Sequence, residues 1–115
     1  MGELVRAIQM PENQFNQESS KLRGMNETAI KIEVPSANAN EEIVKRKIYE
    51  GCNVLQVPSM EDGVMKFAGK TLSTGSLLLL QAKLSNTELA LTINCEKIVI
   101  GNMLAKELKQ ILEKS

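Results

Sequence analysis

Residues 77–95, which read LLLLQAKLSNTELALTINC, carry the clearest secondary-structure pattern in this chain. Alternate residues in both halves of the stretch are apolar, namely Leu78, Leu80, Ala82 and Leu84 in the first half and Leu89, Leu91, Ile93 and Cys95 in the second. This alternation places the apolar side chains on one face of each of two strands. The group Ser85-Asn86-Thr87 is a short turn, and a short turn joins antiparallel neighbours. The stretch therefore predicts an antiparallel pair of strands with one apolar side.

Three more strand-like stretches precede this pair. Residues 29–34 alternate between apolar and charged side chains and end at a proline, which is the period of a half-buried strand. Residues 53–57 and 64–72 are also strand-like, and the turn-forming groups at 58–63 and 73–75 separate them from their neighbours. The short links predict that the whole sheet is mainly antiparallel.

Two amphipathic helices complete the pattern. In the first, Asn40 can cap the free amides and Gly51 can form a left-handed stop. Its apolar stripe consists of Ile43, Val44, Ile48 and Tyr49. Apolar residues of the second helix recur at three- and four-residue spacing, and they are Ile100, Met103, Leu104, Leu108, Ile111 and Leu112. The predicted fold class is α+β, a mainly antiparallel β-sheet flanked by helices.

The length of the chain fits one small domain. It has 115 residues and a mass of 12.7 kDa, which leaves no room for a second core. The apolar fraction of 43% and the charged fraction of 24% are those of an ordinary globular domain. We expect a single domain over residues 1–115. Residues 1–24 have the least regular pattern, and the apolar residues before Pro11 predict a short strand that stops there.

Charge and aromatic content argue against several classes of ligand. Fourteen basic residues balance fourteen acidic ones, so no long-range field attracts nucleic acid or anionic lipid. Three aromatic residues in the chain leave few platforms for stacking bases or sugars. No stretch of the sequence resembles a signal peptide or a spanning helix. We expect no nucleic-acid partner, and membrane contact only indirectly.

Candidate catalytic groups are weak. The chain contains no histidine, the commonest general base and metal ligand near neutral pH. The stretch 63–71 resembles a phosphate-binding loop, but it has five residues between its glycines where that loop has four, and a strand follows it. Cys52 and Cys95 are isolated and fit a reducing compartment. We expect no enzyme activity, no cofactor and no metal.

Several groups of residues carry a resemblance to a known family. They are residues 24–28 (GMNET), 68–71 (AGKT) leading to 75–77 (GSL), and 94–101 (NCEKIVIG) with Leu104, Glu107, Leu108 and Lys109. In combination they resemble the C-terminal end of the beta subunits of adaptor protein complex 3, a branch of the beta-adaptins. The likeness extends from about Leu22 to the end of the chain.

This resemblance implies a fold and a function. In that family the segment is similar to the platform half of the appendage, or ear, which captures short motifs of accessory proteins. The implied role is a protein-interaction module in endosome-to-lysosome transport. The implied location is cytoplasmic and peripheral, on Golgi and endosomal coated vesicles. Accessory or regulatory trafficking proteins are the implied partners, and other adaptor subunits would bind through regions upstream of Met1.

The resemblance also points to candidate partner-binding residues. Better described beta-adaptin ears hold ligands in an aromatic groove, and in matching register one groove tyrosine falls at Phe67 and one groove acid at Gln81. Phe67 would supply apolar contact, while Lys66, Lys70 and Gln81 would orient a peptide or pair with its acidic residues. Strand alternation separates Phe67 from Lys66, so Phe67 either faces the ligand or belongs to the core. An alternative role is structural packing within the polypeptide or against another subunit.

Overall fold

Residues 25–114 are described by the computed structural model and form an antiparallel sheet with two helices. In chain order the strands and helices are β1 (Glu27–Glu33), α1 (Glu41–Gly51), β2 (Cys52–Val54), β3 (Ser59–Glu61), β4 (Val64–Thr71), β5 (Leu77–Ser85), β6 (Glu88–Cys95) and α2 (Ile98–Glu113). A single 3-10 turn, Ser36–Asn38, lies between β1 and α1. The predicted α+β fold class is confirmed.

The sheet has the order β1-β6-β5-β4-β2, and every pair is antiparallel. β3 pairs with the first half of β4, while β2 pairs with the second half. In register, Phe67 lies opposite Leu80, which lies opposite Ile93. The register therefore aligns the apolar residues of β4, β5 and β6 on one face, as the alternation in residues 77–95 predicts.

Most predicted strands agree with the observed ones, but one strand is missing from the prediction and the strand predicted over residues 53–57 is shorter, at Cys52–Val54. β1 covers Glu27–Glu33 where residues 29–34 are predicted. β6 has the predicted bounds, and β4 and β5 differ from prediction by one residue each. The omitted strand is β3, which lies inside the predicted turn 58–63. Asp62 and Gly63, with φ angles of +54° and +77°, alone make the turn between β3 and β4. A strand of three exposed residues carries too little alternation to be recognised from sequence.

Helix α1 begins as predicted but ends differently. The Asn40 side chain accepts a hydrogen bond from the backbone N–H of Ile43 at 3.0 Å. The prediction of a left-handed stop at Gly51 is wrong, because Gly51 is helical and the following Cys52 is extended. A Cβ atom at Gly51 would lie 2.5 Å from Cδ2 of Leu108 in α2. Glycine at this position therefore reflects the close approach of the Leu108 side chain in α2, and not the backbone angle.

Both helices pack on the same face of the sheet. α2 contributes Leu104, Ala105, Leu108 and Leu112 to the core, and α1 contributes Val44 and Ile48. Lys47 of α1 donates to the backbone oxygens of Ile111 and Lys114, at 3.3 Å each. These bonds satisfy carbonyl groups at the end of α2 that have no partner within the helix. The two helices thus form one layer over the sheet.

Residues 1–24 lie outside the described part of the chain, and so does the short strand predicted before Pro11. The expectation of a single domain over residues 1–115 stays a prediction. Within residues 25–114, no helix has the length and apolar character needed to cross a membrane.

Candidate functional site

The second face of the sheet carries the candidate site. Because α1 and α2 pack on the other side, no described element covers this face at β4 and β5. The side chains that point to it from these strands are half-buried or exposed. Ala68, Leu77 and Leu79 give the face an apolar middle. We call this surface, formed by alternate residues of β4 and β5, the open face.

Three of the four predicted site residues lie on the open face. Lys66 and Gln81 are direct partners across β4 and β5, and Lys70 lies opposite Leu77. The Lys66 ammonium lies 3.1 Å from a carboxylate oxygen of Glu61. Within residues 25–114, Lys70 has no ion pair. Its charge is therefore available to a carboxylate of a ligand.

Phe67 lies on the opposite side of β4. Only 2% of its surface is exposed, and its ring meets that of Tyr49 edge-on with the centroids 6.4 Å apart. Successive side chains of a strand point to opposite faces, so Phe67 cannot share a surface with Lys66 and Lys70. Of the two alternatives that the sequence leaves open, the structure has the buried one. Lys66, Lys70 and Gln81 remain together without an aromatic residue.

Other residues with binding capacity were not predicted from the sequence. A groove of about 380 Å³ runs beside β2 and is lined by Tyr49, Cys52, Asn53, Val54, Leu55, Gln56 and Val57. The Tyr49 side chain is 46% exposed although the helical pattern assigns it to the apolar stripe. Val57 is 93% exposed. The available signal is that Leu55 and Val57 are apolar although the strand itself ends at Val54.

The cysteines offer no reactive thiol. Cys52 and Cys95 are both buried and both free. Burial raises the pKa of Cys52 to about 11, and its Sγ lies 3.5 Å from the carbonyl oxygen of Ile48. The nucleophilic form of cysteine is the thiolate, which Cys52 does not adopt near neutral pH. No group of three or more metal-ligating side chains occurs in the part of the chain that the structure describes.

Comparison with known proteins identifies the family. Residues 2–112 match the family model described as AP-3 complex subunit beta-1, C-terminal domain. The chain is 41% identical to AP-3 complex subunit beta-1 of Bos taurus, 40% identical to that of Homo sapiens, and 40% identical to AP-3 complex subunit beta-2 of Mus musculus, over 113 residues in each case.

Each of these alignments covers 97% of this chain and 10% of the relative. The chain thus spans about a tenth of the length of the curated relatives that it matches. The match extends over all the strands and over α2 to its penultimate residue. Together with the α+β architecture, it confirms the resemblance drawn from residues 24–28, 68–71 and 94–101. The chain therefore belongs to the family of C-terminal domains of AP-3 complex beta subunits.

Proposed function

We propose that this domain is a protein-interaction module of a vesicle adaptor complex. It recruits accessory or regulatory proteins in transport between endosomes and lysosomes. Family membership supports the adaptor role, since the matched relatives are subunits of the AP-3 complex. In this role the domain is cytoplasmic and reaches Golgi and endosomal vesicles through the complex, and it has no catalytic activity of its own.

The observation that carries this proposal is the composition of the open face. Leu77 and Leu79 provide half-buried apolar contact area, and Lys66, Lys70 and Gln81 surround it with groups that bind carboxylates or backbone amides. Such a surface suits a short acidic peptide with apolar side chains. Because Phe67 is in the core, the site has no aromatic anchor. We expect affinities that are micromolar or weaker.

Charge reversal tests this site. Lys66→Glu combined with Lys70→Glu removes two cationic groups from the open face. Lys106→Glu combined with Lys109→Glu is the matched control, since both lysines are exposed on α2 and the change in net charge is equal. Amide chemical shifts of the 115-residue chain are recorded against acidic peptides from cytosolic trafficking proteins. We expect at least about a tenfold loss of affinity in the first variant and none in the control.

Two results would contradict the proposal. One is the absence of amide shifts with every peptide, together with failure of the purified chain to enrich any trafficking protein from cytosol. The other is equal weakening by both double variants, which would mean that binding responds only to net charge. Retention on heparin that salt abolishes would indicate nucleic-acid or polyanion binding instead.

A second candidate function is packing against the rest of the adaptor complex. It is favoured by exposed apolar residues at the end of the sheet where β1 begins, namely Met25, Leu72, Ile98, Val99 and Met103. Exposed clusters of this kind commonly mark interfaces. Under this alternative, Val99→Asp with Met103→Asp disrupts assembly of the domain with the adaptor complex, and the open-face lysines have no effect on any partner.

A further inference from the structure

A second apolar cluster follows the edge of the sheet at β2 and β3. It comprises Tyr49, Leu55, Val57 and Met60, all of which are substantially exposed. The groove of about 380 Å³ lies along this edge and contains three of the four. The cluster is separate from the open-face lysines and from the apolar end of the sheet near β1. We call the segment 52–57 together with Tyr49 the β2 edge.

The β2 edge presents backbone groups to a further strand. β2 is the last strand in the order of the sheet, so one of its sides has no neighbour within the described residues. The Leu55 N–H donates to the carbonyl oxygen of Ala68 at 3.0 Å. Residues of an antiparallel strand bond to their partner strand alternately, so the N–H and C=O of Val54 point away from β4. An edge of this kind can pair with an incoming strand.

Tyr49 gives the β2 edge a rigid aromatic anchor. Its ring rests edge-on against the buried Phe67, with an interplanar angle of 85°, while nearly half of the side chain is exposed. A ring that the core already holds in place loses little conformational freedom when a ligand contacts it. Aromatic residues of this type dominate the energy of many interfaces. Phe67 thus contributes to binding indirectly, by positioning Tyr49.

The two sides of the β2 edge differ in chemistry. Tyr49 lies on the side of the helices, whereas Asn53 lies on the side of the open face, opposite Lys70. Segment 52–57 contains no acidic residue. A strand added at this edge lies two strand spacings, about 10 Å, from β4. A side chain on its open-face side can therefore approach the Lys70 ammonium, and a side chain on its other side meets Tyr49.

We propose that the β2 edge binds an extended peptide of a partner protein as an added strand, in which apolar residues alternate with acidic ones. The apolar side chains contact Tyr49, and the acidic ones pair with Lys70. This inference rests on the proposed function, because it specifies where and how the module holds its peptide. It places the principal contacts on the β2 edge and makes the open face a contributor of charge.

The test uses the full 115-residue chain labelled with ¹⁵N and a short synthetic peptide in which valine alternates with glutamate. A second peptide has the same side chains but carries N-methyl groups on the amides that would bond to the edge. We expect the first peptide to shift the amides of residues 52–57 and to slow hydrogen exchange at Val54 at least about tenfold. The N-methylated peptide removes both effects, because it cannot complete the ladder.

Val57→Asp tests the β2 edge by substitution. Because Val57 is 93% exposed, its side chain is not needed for folding. We expect this substitution to lower the affinity for the first peptide at least about tenfold. The control is Val99→Asp, because Val99 is 64% exposed on α2, and it should change the affinity by less than about twofold. Equal effects of the two substitutions would overturn the inference.

Other occupants of the edge give different results, and each overturns the inference. If Val54 is already protected in the free monomer, a segment of this chain occupies the edge. If protection of the Val54 amide increases with protein concentration, and sedimentation shows a dimer at the same concentrations, a second copy of the chain occupies the edge. Shifts confined to Lys66 and Gln81 would locate the peptide on the open face, which refutes the β2 edge but leaves the proposed function standing.

Discussion

Cys52 directly follows α1, and its side chain lies in the core with 2% of its surface exposed. Burial in apolar surroundings disfavours the thiolate and raises the pKa of this thiol from an ordinary value of 9.0 to about 11. The native chain therefore keeps a proton that the unfolded chain releases above pH 9. The chemistry of this residue is set by its neighbours and not by its type.

This difference predicts a loss of stability at alkaline pH. Between pH 9 and about pH 11 the native state binds more protons at Cys52 than the unfolded state, so the free energy of unfolding falls as pH rises. The contribution is fully present below pH 9, and its slope approaches about 1.4 kcal/mol per pH unit within the window. Urea titrations of the chain and of Cys52→Ala across this window measure it. The two proteins are identical at every other position, so the difference in slope belongs to Cys52. Identical slopes would contradict the prediction.

At the scale of the elements, two glycines lie where a Cβ atom would come too close to a neighbouring element. A Cβ atom at Gly69 would overlap the backbone carbonyl oxygen of Asn53 in β2. At Gly51 the nearest atom is instead the end of the Leu108 side chain. Neither glycine has a positive φ, so the cost of a side chain at each position depends on what that side chain would meet. A side-chain end can rotate away, whereas a carbonyl in a ladder cannot move without displacing the strand.

We therefore predict that Gly69→Ala is more destabilising than Gly51→Ala. Gly69→Ala should lower the free energy of unfolding by about 1–3 kcal/mol, because the added methyl group overpacks against backbone. It should also weaken the pairing of β2 with β4. In the second, a gain in helix propensity of at most about 1 kcal/mol at the last residue of α1 offsets part of the cost of moving Leu108. Denaturant unfolding measures both costs, and amide exchange at residues 52–54 measures the loosening. Equal costs, or a Gly69→Ala variant with an unaltered β2, would contradict this reading of the edge.

At the scale of the whole molecule, one core joins the sheet to the helix layer. Buried residues from β1, β2, β4, β5 and β6 and from both helices form a single cluster. Phe67 is a large member of it, placed between Leu80 and Tyr49. A continuous core of this kind favours one cooperative unfolding transition.

Phe67→Ser tests both the core and the assignment of Phe67. Removal of a buried phenylalanine costs about 3–5 kcal/mol, a large part of the roughly 5–15 kcal/mol that stabilises a domain. We expect the cooperative unfolding transition of Phe67→Ser to move to a much lower denaturant concentration or to disappear. Phe67→Leu should retain most of the stability. If Phe67→Ser unfolds at the same denaturant concentration as the original chain and loses only partner binding, Phe67 is a surface residue and its placement in the core is wrong.

Local residue patterns were enough to predict most of the strands, both helices and the α+β fold class. Alternation in residues 77–95 specified β5 and β6, three- and four-residue spacing specified α2, and Asn40 specified the start of α1. These patterns are local, because a strand or helix must turn its apolar side chains to one face wherever it lies. The family could also be recognised from residues 24–28, 68–71 and 94–101, because a resemblance between sequences is visible without the structure.

Which surfaces are free depends instead on how the strands and helices pack together. The pleat of β4 separated Phe67 from Lys66 and Lys70, and the pairing of the strands left β2 at an edge beside an exposed Tyr49. The role of Gly51 likewise depends on Leu108, which lies 57 positions further along the chain. Such features require knowledge of what packs against each residue, and contacts between segments far apart in the chain leave no periodic signal in the residues themselves. The candidate binding surface is for that reason a property of the assembled sheet.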